Sequence, residues 1–140
     1  MKYIGLDVGN RRIGVAFGDS DLRIATPVDV ITRVSPEQDS QTIVGLVREY
    51  DASQLIVGLP RNMNGSQGAQ AEAVIEYAEE IAERILVPVI FWDERLTTVE
   101  ATKRTHETGA RGIKSRRRID ALAAAVLLQD YLDSQANESL

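Results

Sequence analysis

Cysteine is absent from this chain of 140 residues, and histidine occurs once. Without a thiol there is neither a disulfide framework nor thiolate chemistry, which suits a reducing compartment. The single histidine, His106, has no Cys or His companion with which to build a transition-metal site, and it reads as a surface residue. Long apolar runs are missing too. The longest, Ala121 to Leu128, is far too short to span a bilayer. No basic stretch followed by an apolar run opens the chain, so no secretory leader is expected. The expectations are a cytoplasmic protein and no membrane partner. Basic charge is in deficit, with 16 Lys and Arg against 21 Asp and Glu and a formal net charge of −5. That balance argues mildly against nucleic acid, whose partners usually carry a basic footprint.

The distribution of charge matters more than its sum. Arg111, Lys114, Arg116, Arg117 and Arg118 fall within eight residues that contain no acid, and such a patch can bind phosphates locally. The acids gather elsewhere, notably Glu72, Glu76, Glu79, Glu80 and Glu83, at the spacing of a solvated helix face. Apolar residues make up 44% and charged residues 26%, the composition of an ordinary soluble globule. One domain over 1–140 is expected, with a polar tail from about 134.

The stretch from Lys2 to Phe17 reads as strand, tight turn, strand. Tyr3, Ile4 and Leu6 favour the first strand, and Ile13, Val15 and Phe17 the second. Gly9 and Asn10 supply residue types that tolerate positive φ. Ile24 to Val30 forms a third strand, placed at a sheet edge by Pro27. Ser35-Pro36-Glu37 starts a helix that buries Ile43, Leu46, Val47 and Tyr50. Leu55 to Gly58 is a buried strand, and a turn-rich loop follows through Gly68. A helix from about Gln70 to Ile85, a strand over 87–92, a helix from Thr97 or Thr98 to about Glu107, and a last helix from near Ser115 to about Asp133 complete the chain. The fold class is α/β: three antiparallel strands, then two parallel ones, in a mixed five-stranded sheet flanked by helices. That is the ribonuclease H-like arrangement, with the first strand central.

Four acids draw attention. Asp7 ends the first strand, where a carboxylate is costly unless solvated, paired or metal-bound. Glycines at 5, 9 and 14 would let a large ligand approach it. Asp93 and Glu94 end the fifth strand, and Asp120 lies just before the apolar run of the last helix. Each has a bland reading as well: Asp7 as a turn residue bonding the backbone, Asp93 and Glu94 as a solvated strand end paired with Arg95, Asp120 as a complement to a helix dipole. The topology nevertheless brings Asp7, Glu94 and Asp120 to one sheet edge. Carboxylate oxygens suit Mg²⁺ or Mn²⁺, and two such ions can drive phosphodiester hydrolysis by water.

The segments 7–16 (DVGNRRIGVA), 57–66 (VGLPRNMNGS), 93–98 (DERLTT) and 118–125 (RIDALAAA) together resemble the YqgF family, in order and over nearly the whole chain. Its members are bacterial proteins similar to Holliday-junction resolvases and described as pre-16S rRNA nucleases. The resemblance implies a metal-dependent endonuclease trimming the 5′ end of the 16S rRNA precursor. Asp7, Glu94 and Asp120 fall on the acids that hold the metals, with Asp93 as a substitute for Glu94. Arg12 and the loop containing Asn62 and Asn64 fall on positions that meet substrate. Lys114, Arg116, Arg117 and Arg118, with Arg95, would hold phosphates. Relatives often carry lysine at the place of Arg118. The wider resolvase fold has an acid on its fourth strand, and this chain has none there.

The expected partner is therefore nucleic acid, precursor rRNA first and junction DNA as the alternative, with ribosomal particles as a setting and a monomer or homodimer as the assembly. Two other classes fit the motifs less well. Asp-x-Gly before a hairpin also opens actin-like ATPases and sugar kinases, but those pair two such domains around a nucleotide. A catalytically silent RNA-binding assembly factor could keep the fold without the chemistry.

Overall fold

The computed structural model describes residues 1–59, 68–93 and 112–138, with the backbone alone at 59, 70, 93, 112–117, 137 and 138. Five strands and three helices are described: β1 (Lys2–Val8), β2 (Arg12–Asp19), β3 (Ile24–Thr32), α1 (Pro36–Glu49), β4 (Gln54–Leu59), α2 (Ala69–Ala82), β5 (Val89–Asp93) and α3 (Gly112–Glu138). The sheet order is β3-β2-β1-β4-β5. β1–β2 and β2–β3 are antiparallel, whereas β1–β4 and β4–β5 are parallel. This is the mixed, ribonuclease H-like sheet expected from the order of elements, with β1 at its centre. Pro27, which cannot donate to a ladder, lies on the edge strand β3, beside a register shift between Val15 and Ala16.

The period of two along β1 sorts its side chains between two layers. Ile4, Leu6 and Val8 join a core with Ile43 of α1 and Val74, Ala78 and Ile81 of α2. Helix α1 starts as its sequence predicts: Ser35 caps it, its Oγ accepting the Gln38 N–H at 3.1 Å, and Pro36 occupies the first turn. Glu72, Glu76, Glu79, Glu80 and Glu83 are all exposed, so the acidic face of α2 is solvated surface.

The other face of the sheet is covered by α3. Tyr3, Ala16 and Ile56 pack there against Ala124, Leu128 and Leu132. Tyr131 meets Tyr3 and Trp92 edge-on, with ring centroids 5.7 Å and 5.3 Å apart, which ties α3 to β1 and β5. Gln129 reaches the hairpin edge, accepting from Ala25 N–H and donating to the Arg23 carbonyl. α3 begins three residues before Ser115 and continues to Glu138, taking in most of the expected polar tail. Among the described residues no helix is long and apolar enough to cross a membrane.

Two sequence expectations about glycine need correcting. The β1–β2 turn does not use positive φ at Gly9 or Asn10; the described non-glycine residues in that region are Arg23 and Asp51. Gly9 is needed for closeness instead, since a Cβ there would stand 3.0 Å from the Arg12 carbonyl. Gly5 and Gly14, in turn, do not open space for a ligand. Leu128 fills the first position and the backbone of Asp120 the second, so what approaches is the chain's own helix.

Candidate active site

Asp7 sits next to last in β1, on the face covered by α3, and is 3% exposed. In register, β2 offers Gly14 on one side of it and β4 offers Gly58 on the other. The row continues to Val30 on β3 and Trp92 on β5. Across the three central strands, then, the carboxylate is the one side chain in its row. The amide two residues on, Gly9 N–H, donates to the Arg12 carbonyl at 2.8 Å and closes the turn. A carboxylate buried in the middle of a sheet requires compensation, by a partner or by a cation.

Asp120 reaches the same place from the opposite layer. A Cβ at Gly14 would overlap the Asp120 carbonyl, so α3 passes directly over the residue that pairs with Asp7. The helix-dipole reading of Asp120 fails, because α3 starts at Gly112 and the dipole's influence is spent within the first turn. Its carboxylate is held by Arg12 instead: Nε donates to Oδ2 at 2.5 Å, with the two side chains 32% and 20% exposed. Arg12, a substrate contact by resemblance, thus has a structural role in orienting Asp120. A charge-assisted bond of this kind fixes the rotamer of its acceptor more firmly than a neutral one.

Among the described residues no set of three His, Cys, Asp or Glu side chains converges. The two that the fold brings to one region, Asp7 and Asp120, are both oxygen donors, and the donor chemistry fits a hard divalent cation rather than a soft metal. Glu94, Arg95, Asn62 and Asn64 lie outside the described residues, as does His106. Asp93 ends β5, with its backbone alone described. Lys114, Arg116, Arg117 and Arg118 fall in the first two turns of α3, whose first turn holds no acid; Arg118 is exposed.

One residue at the rim carried no signal in the sequence. Arg33, just past β3, donates from Nη1 to the Gly9 carbonyl at 2.7 Å, and its guanidinium carbon lies 3.5 Å from the ring centroid of Tyr77. Burial lowers its pKa, against the opposing charge of Asp39. Only the three-dimensional meeting of β3, α2 and the β1–β2 turn reveals it.

Comparison with known proteins agrees with this architecture. A family model described as "RuvX: Holliday junction resolvase" matches residues 1–134. A protein of Caldanaerobacter subterraneus named "Putative pre-16S rRNA nuclease" is 46% identical over 139 residues, covering 98% of this chain and 99% of its own. One of the same name from an Anaeromyxobacter species is 45% identical over 135 residues, with 96% and 98% covered. Among solved structures, Thermus thermophilus RuvC in complex with a Holliday junction superposes with a TM-score of 0.59 at 12% identity, covering 97% of this chain and 96% of that one. The fowlpox virus Holliday junction resolvase gives 0.52 at 13%, covering 96% and 99%. At such identities the structures speak for the fold alone. The sequence matches carry the assignment, and by them the chain belongs to the RuvX (YqgF) family.

Proposed function

We propose that this chain is a metal-dependent endonuclease that hydrolyses phosphodiester bonds in the maturation of the 16S rRNA precursor, acting in the cytoplasm as a single domain. The observation that carries the reading is the buried Asp7 carboxylate, flanked in register by Gly14 and Gly58 and overlaid by the helix that presents Asp120. The names of the relatives supply the substrate, at identities of 45–46% over nearly the whole chain.

Asp7, Asp120 and Glu94, with Asp93 as the substitute, would hold two Mg²⁺ or Mn²⁺ ions. Bound there, such ions polarise a phosphate and make water a competent nucleophile at neutral pH. The protein's part is placement. β1 fixes Asp7 between two hydrogen-bonded neighbours, and Arg12 fixes the rotamer of Asp120. Arg118, with Lys114, Arg116 and Arg117, would hold substrate phosphates along the start of α3, and Arg95, Asn62 and Asn64 would add contacts. Rigid carboxylates held before substrate arrives lower the barrier by sparing reorganisation.

Junction resolution is the second reading, favoured by the family model's description. The deciding experiment offers labelled 5′-extended 16S precursor RNA and a four-way DNA junction to wild type and to Asp7→Asn, with Mg²⁺ or Mn²⁺. RNA cleavage lost with Asp7→Asn and with chelator is the expected result. Junction cleavage alone would move the protein to recombination, and binding of RNA without cleavage would make it a silent assembly factor.

A further inference from the structure

We propose that Arg33 is a positioning residue that clamps the β1–β2 turn and through it sets the geometry of Asp7 and Arg12. The turn spans Gly9 to Arg12 and is closed by Gly9 N–H donating to the Arg12 carbonyl. Arg33 grips it twice. Its side chain donates to the Gly9 carbonyl at 2.7 Å, and its backbone N–H donates to the Arg11 carbonyl at 2.9 Å. Both ends of the turn are therefore tied to one residue, which is itself anchored. Its guanidinium lies over the buried ring of Tyr77 on α2. The next residue, Val34, donates its N–H to both oxygens of Asp39, which is 1% exposed.

The mechanical consequence follows from connectivity. Asp7 lies two residues before the gripped carbonyl, and Arg12, the holder of Asp120, closes the turn. A hairpin end is ordinarily the part of a sheet that opens first, because its backbone bonds meet water. Here it carries two of the candidate site's residues, and Arg33 links it to α2 in the layer opposite α3. A guanidinium suits the task, since its planar fork can lie flat on an aromatic ring and still donate in plane. Lysine could supply the charge but not that combination.

This inference rests on the nuclease reading for its kinetic test, so a second readout stands free of it. In Arg33→Met, which keeps an apolar stem against Tyr77, the Gly9 amide should exchange with solvent at least about tenfold faster, while Leu6 in the middle of β1 exchanges as before. Cleavage at saturating RNA should fall about ten- to hundredfold in kcat, as expected for slight misplacement of reacting groups. RNA affinity in chelator and the melting temperature should hold nearly constant. Arg33→Lys should recover part of kcat, and it keeps the test open if the methionine variant fails to fold. Unchanged Gly9 exchange in the folded variants would overturn the clamp whatever the cleavage assay shows. Weaker RNA binding with a salt slope reduced by about one, at unchanged kcat, would overturn it in favour of a direct phosphate contact. If wild type cleaves neither substrate, the nuclease reading fails and the exchange result still decides the clamp.

Discussion

Gly14 of β2 and Asp120 of α3 meet backbone to backbone: the helix carbonyl occupies the space into which any side chain at position 14 would project. Because Gly14 is also the register partner of Asp7, one close approach seats the helix and brings its carboxylate toward the central strand.

Gly14→Ala should therefore lift α3 from the sheet. Overpacking against backbone costs about 1–3 kcal/mol, and cleavage should fall further than stability alone would explain. Gly45 is the matched control. It lies inside α1 with open space around it, so Gly45→Ala should stabilise by about 0.5–1 kcal/mol through helix propensity. Denaturant melts of the two variants, in opposite directions, would check the contrast.

Asp7→Asn should separate stability from activity. The carboxamide keeps the shape of the side chain, so the variant should still melt cooperatively even as cleavage disappears. Adding Mn²⁺ should stabilise wild type, by about 2.7 kcal/mol at a hundredfold excess over Kd, and Asp7→Asn far less. Equal stabilisation of both would remove Asp7 from the cation site.

The Arg12–Asp120 pair is partly exposed, so its worth to folding is small. Arg12→Met should cost less than about 1 kcal/mol and yet reduce kcat by tenfold or more, because Asp120 loses the bond that orients it. A double-mutant cycle with Asp120→Asn reads the coupling. Additive losses in kcat would show that the pair does not act as a unit.

Asp93 and Glu94 can be told apart by substitution. Glu94→Gln should abolish cleavage, while Asp93→Asn should reduce it several-fold at most. The reverse order would make Asp93 the working acid.

Strong local patterns made much of this architecture legible in one dimension. The β-branched and apolar run of β1, the Ser-Pro-Glu start of α1 and the apolar stretch 121–128 each specify their element by themselves. Asp7 and Asp120 were legible because a charge beside an apolar run is anomalous wherever it occurs. The meaning of the glycines was not, because whether Gly14 admits a ligand or a helix depends on a residue 106 positions away (120 − 14). Nor was the Arg12–Asp120 bond, made across 108 positions. Arg33 stayed invisible for a further reason: its partners are a carbonyl and a ring face, which leave no complementary charge in the sequence.

β1 leaves the ribosome before α3, yet the backbone of Asp120 on α3 packs against Gly14, the register partner of Asp7 on β1. During synthesis the early strands can pair and collapse before the closing helix exists. A nascent or prematurely terminated chain lacking that helix would carry the Asp7 half of the site alone. The order of elements thus acts as a timing device, in which the proposed site is completed only once α3 has been made.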